Sequence, residues 1–135
     1  RSFPFAGLIC FEAIFPQLAR QAVRRGARAL VNITNDGWFG HSVGPRQHAE
    51  LARMRGIECG VPVVRSANNG ISFVSDARGR ILDRLDLGRR GYVFAEILPG
   101  GGSPFVRWGA RPLAAGLLLW ALAAAVWARR RGAAA

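Results

Sequence analysis

The sequence predicts a layered α/β domain followed by one strongly apolar helix, and three observations carry that reading. Between residues 5 and 60, apolar strand words alternate with stretches whose apolar residues recur at helical spacing. Four further strand words then follow without intervening helices. Near the C-terminus lies a run of 17 residues, Pro112 to Ala128, without a single charge.

The elements follow in order. Phe5-Ala-Gly-Leu-Ile-Cys10 reads as a buried strand. Pro16, a favoured first-turn residue, opens a helix in which Leu18, Ala19, Ala22 and Val23 share a face, with arginines on the other until Gly26. Ala29-Leu-Val-Asn-Ile-Thr34 is a second buried strand, closed by the turn-forming Asn35-Asp-Gly37. Gly44-Pro45 begins another helix, with Leu51, Met54, Ile57 and Glu58 expected on its inner face and Arg46, Gln47 and Arg53 facing water, and Gly60 stops it. Val61-Pro-Val-Val64 and Ile71-Ser-Phe-Val74 are strands joined across Ser66 to Gly70. Asp76-Ala-Arg-Gly79 is a hairpin turn, Ile81 to Leu87 its return strand, and Tyr92 to Ile97 a last strand. Gly100-Gly-Gly-Ser103 has the composition of a flexible linker.

The charge-free run reaches roughly 26 Å as a helix, the lower limit for crossing a bilayer core. Trp108 and Trp127 stand near its ends and Arg129-Arg-Arg131 closes it, as interface anchors do. The division expected is therefore a catalytic domain over 1–99, a linker over 100–111, a transmembrane helix over 112–128 and a cytoplasmic tail over 129–135. The arginine triplet would put the tail in the cytoplasm and the domain on the opposite side. The opening Arg-Ser-Phe-Pro-Phe, with no initiator Met, leads to the expectation that the chain is the C-terminal part of a longer protein.

A net charge of +11 would suit nucleic acid or anionic lipid. All 19 basic residues are Arg, with no Lys, which reads as compositional bias as much as a binding surface. No zinc spacing, RNA-binding aromatic signature or helix-turn-helix pattern accompanies the charge, so a nucleic-acid partner is not expected. Cys10 and Cys59 are too few for a disulfide framework and too far apart for a metal site, although a single bridge between them stays open.

Cys10 ends a strand where the chain must turn into a helix, which would aim its thiol out of the sheet edge and favour the thiolate. Taken alone, a lone Cys in an apolar strand is more often an inert packing residue. Glu12 could orient a substrate or hold the turn, and it could equally cap the helix start. Trp38 and Phe39, on a loop between glycines, suit either a lipid-facing lid or ordinary packing. His48 reads as a structural hydrogen-bonder rather than a catalytic base. Glu58 needs a buried partner, for which Arg55 and Arg65 are the candidates, and Cys59 reads as packing.

Five words at fitting distances narrow the choice. They are Leu8-Ile-Cys10-Phe-Glu12, Asn32-Ile-Thr-Asn-Asp-Gly-Trp-Phe-Gly40, Gly44-Pro-Arg-Gln-His48, Ala52-Arg-Met-Arg55 with Glu58, and Arg65-Ser-Ala-Asn-Asn-Gly-Ile71. Together with the terminal apolar helix they resemble the nitrilase-like domain of bacterial apolipoprotein N-acyltransferases, over essentially all of residues 5–128. The resemblance implies the C-terminal portion of an αββα sandwich with a Glu-Lys-Cys triad, Cys10 being the nucleophile and Glu12 a supporting group. It implies acyl transfer from a membrane phospholipid, through a Cys10 thioester, to the α-amine of a diacylglyceryl-cysteine apolipoprotein. Phe11, Trp38 and Phe39 would line the substrate site. The family often has Tyr at the position of Phe11, so a hydroxyl role there is in doubt while ring packing is kept.

The expected setting is a monomeric, multi-pass inner-membrane enzyme with a periplasmic active site and neither cofactor nor metal. The catalytic Glu and Lys would come from upstream residues, so the chain alone should be inactive. The rival readings are a soluble-type amidase, in which water resolves the acyl-enzyme, and a non-catalytic membrane-anchored binding module.

Overall fold

In the computed structural model, which describes residues 2–40 and 42–132, a single five-stranded sheet carries its helices on one face. The strands are β1 (Ala6–Ile9), β2 (Leu30–Asn35), β3 (Val63–Asn68), β4 (Ser72–Ser75) and β5 (Ile81–Leu85), adjacent in chain order. β1, β2 and β3 are parallel, and β4 and β5 return antiparallel. Two parallel steps require two crossovers. Helix α1 (Pro16–Arg24) supplies the first and α2 (Gly44–Cys59) the second.

Strand register sorts the side chains. Leu8, Asn32, Arg65 and Phe73 lie in one row across four strands, on the face that the helices cover. Ala19 and Val23 of α1, Ala49, Ala52 and Cys59 of α2, and Leu30 and Val63 of the sheet complete the core. The alternate positions face the other way, where Ile9 is 59% and Ile33 54% exposed. Side chains of this kind on a sheet face are made to be covered. Among the described residues nothing covers them, so the architecture is one sheet with one helix layer.

Several expectations need correction. The inner face of α2 consists of Pro45, His48, Ala49, Ala52, Arg55, Gly56 and Cys59, and the larger Leu51, Met54 and Ile57 are exposed instead. Small residues win the inner face because the helix lies close on β3: a Cβ at Gly56 would stand 2.6 Å from Val63 Cγ2 and 2.8 Å from the Val61 carbonyl oxygen. Glu58 is held at the edge of that face by Arg55 at 3.1 Å. The last strand expected at Tyr92 to Ile97 is absent, since those residues have no ladder partner and Tyr92 and Phe94 are exposed. A single link ties them to β5, from the Phe94 N–H to Asp83 Oδ2 at 2.8 Å. Ser66 to Asn68, expected in a connection, extend β3 by pairing with Ile33 to Asn35.

Within residues 100–111 there is a short helix of its own. Helix α3 (Pro104–Trp108) is capped by the Ser103 side chain and buries Val106 against α1 and α2. Arg20 of α1 donates to the carbonyls of Phe105 and Arg107, at 2.9 and 3.2 Å. The Gly100 N–H donates to the Arg28 carbonyl at 2.8 Å. The charge-free run falls inside α4 (Arg111–Gly132), although the side chains at 126 and 128 lie outside the described set. Among the described residues no helix is long and apolar enough to cross a membrane. Most of the tail expected at 129–135 likewise lies outside what is described.

The close approach of α2 to β3 gives a test. Gly56→Ala in the full-length protein should destabilise it by about 1–3 kcal/mol through overpacking, read as a lowered thermal midpoint. Gly116→Ala, where an added Cβ meets nothing within 4 Å, should be neutral.

Candidate active site

Cys10 lies at the C-terminal edge of the parallel strands, where β1 ends and a short 3-10 helix over Cys10–Ile14 begins. Its φ is +49°, a left-handed conformation that a non-glycine residue adopts only when its surroundings impose it. The surroundings are visible. The Cys10 carbonyl oxygen accepts from His48 Nε2 at 3.2 Å and from Asn32 Nδ2 at 3.4 Å. Asn32 Nδ2 also donates to the Leu8 carbonyl at 2.8 Å, which ties the turn to the neighbouring strand. On the outer side the Ile9 N–H donates to Glu12 Oε2 at 2.7 Å. Glu12 thus braces the turn from solvent while His48 and Asn32 brace it from within.

His48 is buried and oriented by a charged pair. Arg65 and Asp36 are both fully buried, and Arg65 Nη2 meets Asp36 Oδ2 at 2.7 Å. The guanidinium also donates to Asn32 Oδ1 and to the Ile71 carbonyl. Asp36 Oδ1 faces His48 Nδ1 at 2.9 Å and accepts from the Thr34 hydroxyl at 3.2 Å. Because a carbonyl only accepts, the bond to Cys10 assigns a proton to His48 Nε2, and Nδ1 then lies between Asp36 and Arg65. Burial pushes the Arg65 pKa down, and the Asp36 carboxylate pushes it back up. A guanidinium keeps its charge throughout. A Cβ at Gly70 would run into Asp36 Oδ2, so that glycine is what lets the β3–β4 turn close over the pair.

The two aromatic residues of the 36–39 turn separate. Trp38 is 87% exposed, whereas Phe39 packs on Phe11 and His48 with ring centroids 6.2 and 5.6 Å apart. Phe11 stacks on the same His48 at 5.5 Å. A Cβ at Gly44 would strike the Phe39 ring, so the start of α2 is shaped around it. The cysteines separate as well. Cys10 is partly exposed and Cys59 buried, and both are free thiols. Burial pushes the Cys59 pKa up to about 11, with the Glu58 carboxylate adding to the effect.

Sequence reasoning brought Cys10, Glu12, Phe11 and Phe39 to one place and missed what lies beneath them. Asn32, Asp36 and Arg65 were legible only as an anomaly: an Asn and an Arg in otherwise apolar strand words have to be paired if they are buried.

An α/β sheet whose first strand ends at its carboxyl edge in a strained, braced cysteine has the geometry of a nucleophile elbow. Residues 4–102 match the carbon-nitrogen hydrolase family model, and the chain belongs to that family. It is similar to the apolipoprotein N-acyltransferases of Vibrio cholerae, at 42% identity over 97% of the chain, and of Bradyrhizobium diazoefficiens, at 51% over 92%. The chain spans about a quarter of those relatives, 26% and 22% of their lengths. Among solved structures it is similar to a carbon-nitrogen hydrolase from Helicobacter pylori G27, with a TM-score of 0.60 at 21% identity, covering 69% of this chain and 39% of that one. It is also similar to Saccharomyces cerevisiae Nit3, with a TM-score of 0.56 at 29% identity, covering 64% and 34%.

Two measurements on the full-length protein probe this site. Asp36→Asn leaves the Arg65 charge buried without its partner and should cost about 3–5 kcal/mol, whereas Thr34→Val removes one hydroxyl bond and should cost about 1 kcal/mol. Thermal melts of both variants give the comparison. Iodoacetamide near neutral pH should modify Cys10 and spare Cys59, whose thiol stays protonated until about pH 11, as read by peptide mass spectrometry.

Proposed function

We propose that this chain is the nucleophile-bearing C-terminal part of an apolipoprotein N-acyltransferase. The observation that carries the reading is the braced left-handed turn at Cys10, in a chain whose relatives bear that name along nearly its whole length. In the first step the Cys10 thiolate attacks an acyl ester carbonyl of a phospholipid. The C–S bond forms, the C–O bond breaks, and the lysophospholipid leaves with a proton from a general acid. In the second step the α-amine of the diacylglyceryl-cysteine acceptor attacks the thioester, the C–S bond breaks, and the amine proton passes to the base. Two modest barriers replace one large barrier between an ester and an amine.

The roles beyond the nucleophile follow from placement. Glu12 is a positioning group, since its carboxylate is occupied by the Ile9 N–H. Phe11 and Phe39 form an apolar wall beside the thiol, and the outward Trp38 ring meets the lipid. The acid-base Glu and the oxyanion-stabilising Lys come from the part of the protein upstream of this chain, which itself contains no Lys. The same upstream part supplies the second layer of an αββα sandwich, packed on the face that exposes Ile9 and Ile33.

Helix α4 is the membrane anchor in this proposal. Leu113, Leu117, Leu118, Leu119, Trp120 and Leu122 are all exposed and point around the whole helix, leaving no polar side for water. With Arg129 to Arg131 in the cytoplasm, the Cys10 domain is periplasmic and the protein is an inner-membrane enzyme. An anchored active site supports acyl transfer from lipid over the amidase reading, in which the same acyl-enzyme is released by water.

Cys10→Ala in the full-length enzyme should abolish acyl transfer and Cys59→Ala should retain most of it. Mass spectrometry after incubation with phospholipid should find the acyl group on Cys10, and an adduct on Cys59 would sink the assignment. Trp38 and Phe39 should also respond differently. Trp38→Ala should weaken use of phospholipid more than use of a short soluble thioester donor, whereas Phe39→Ala, which loosens the packing on His48, should impair both alike. Equal losses with both donors for Trp38→Ala would remove its lipid role.

A further inference from the structure

At the opposite edge of the sheet from Cys10, a cavity of about 500 Å³ opens between the end of α1, the Gly101-Gly102 segment and α3. Arg28, Arg107 and Trp108 line it together with Val23, and no carboxylate is among its lining residues. Neither guanidinium has a hydrogen-bonding or ion-pairing partner among the described residues, and both arginines are exposed, so the two charges are free to meet an anion in the cavity. The walls are fixed: Gly100 is bonded to the Arg28 carbonyl, the Ser103 hydroxyl to the Glu58 carbonyl, and α3 is clamped by Arg20. Two unpaired guanidiniums facing a shaped recess are suited to an anion with several oxygens, above all a phosphate.

A second recess shares Trp108 with the first and continues along Arg111, Pro112 and Ala115, onto the start of α4. We propose that the two recesses together hold one anionic phospholipid of the bilayer. Its phosphate lies between Arg28 and Arg107, and its glycerol and upper acyl chain run past Trp108 along α4. A free phosphate would fill only the first recess and leave the apolar continuation unused. The strands separate this site from the nucleophile by roughly 17–20 Å, so the lipid held here is a fixed boundary lipid, not the acyl donor. It locks the root of α4 against the domain at the level of the headgroups. The proposal rests on α4 entering the bilayer.

The test uses the full-length protein in detergent, with native mass spectrometry reading bound lipid at graded concentrations of phosphatidylglycerol and, separately, phosphatidylcholine. Wild type should retain phosphatidylglycerol preferentially. Arg28→Ala/Arg107→Ala should bind it more weakly by roughly tenfold or more, as expected for two basic groups at a lipid surface. Arg24→Ala/Arg25→Ala, which removes the same charge from outside the cavity lining, should match wild type, and thermal melts establish that both variants are folded. Unchanged retention in the cavity variant, or equal losses in both variants, overturns the site. Displacement of the lipid by inorganic phosphate alone overturns the lipid as occupant. Protease protection of a tag after Ala135, in sealed membrane vesicles, is scored separately: a tag on the same side as the Cys10 domain overturns the membrane reading of α4, whereas a correctly placed tag with an unresponsive cavity variant overturns only this proposal.

Discussion

The buried Arg65–Asp36 pair is the constraint on which the arrangement at the sheet edge depends. Removing two charges from water costs several kcal/mol each, and their attraction offsets this only when the remaining donors and acceptors are also met. Here they are met by the groups that shape the turn. Arg65 spends its other donors on Asn32 and the Ile71 carbonyl, Asp36 accepts from the Thr34 hydroxyl, and His48 Nδ1 lies against both members of the pair. Asn32 and His48 then meet at the Cys10 carbonyl. A left-handed cysteine costs of order 1–3 kcal/mol, and it persists because a rigid, fully paired network holds its carbonyl in place. The charge pair is thus coupled to the turn at Cys10 through the hydrogen bonds that Asn32 and His48 make to its carbonyl.

That network also explains the odd composition of the helix layer. His48 can reach the turn only if α2 lies close on the sheet, and closeness excludes large apolar side chains from the part of the face that lies on β3. Ala49, Ala52, Gly56 and Cys59 line that face, and the left-handed Gly60 ends the helix so that the chain can enter β3 at once. Leu51, Met54 and Ile57 are displaced outward by the same geometry. Apolar bulk therefore gives a poor guide to the buried face of α2, because the face was fixed by a polar contact.

This is where reading the sequence succeeded and where it could not. Strand words, crossover helices and the glycine stop at Gly60 were legible because they rest on local chemistry: proline at a helix start, glycine at a left-handed cap, β-branched runs. The place of Cys10 between a strand and a helical turn was legible in the same way. The inner face of α2 was misread because periodicity ranks residues by apolarity, whereas here separation from β3 set the ranking. Residues 92–97 have strand composition, but a strand needs a ladder partner and composition cannot show one. The contacts of the glycine-rich segment and α3 were not legible because Ser103, Arg20 and Arg28 make them with groups distant in sequence. Arg65 and Asp36 were visible residue by residue, and their union required the fold.

The two edges of the sheet have different duties in the proposed enzyme, and the parallel strands explain why. In parallel strands every carboxyl end points the same way, so the turns that can carry a nucleophile, a lid and their braces gather on one edge. Cys10, the 36–39 turn and the Asn69-Gly70 turn are all there. The chain returns to the other edge before each new parallel strand, and residues 100–108 dock on that edge through Arg28 and Glu58. Helix α4, the membrane anchor in the proposal above, follows the segment docked on the amino edge and so leaves the turn at Cys10 on the other edge. For an enzyme proposed to draw one substrate from lipid and release its product to lipid, separating the anchor from the proposed nucleophile leaves the geometry of that turn to Glu12 on its outer side and the Arg65–Asp36 network within.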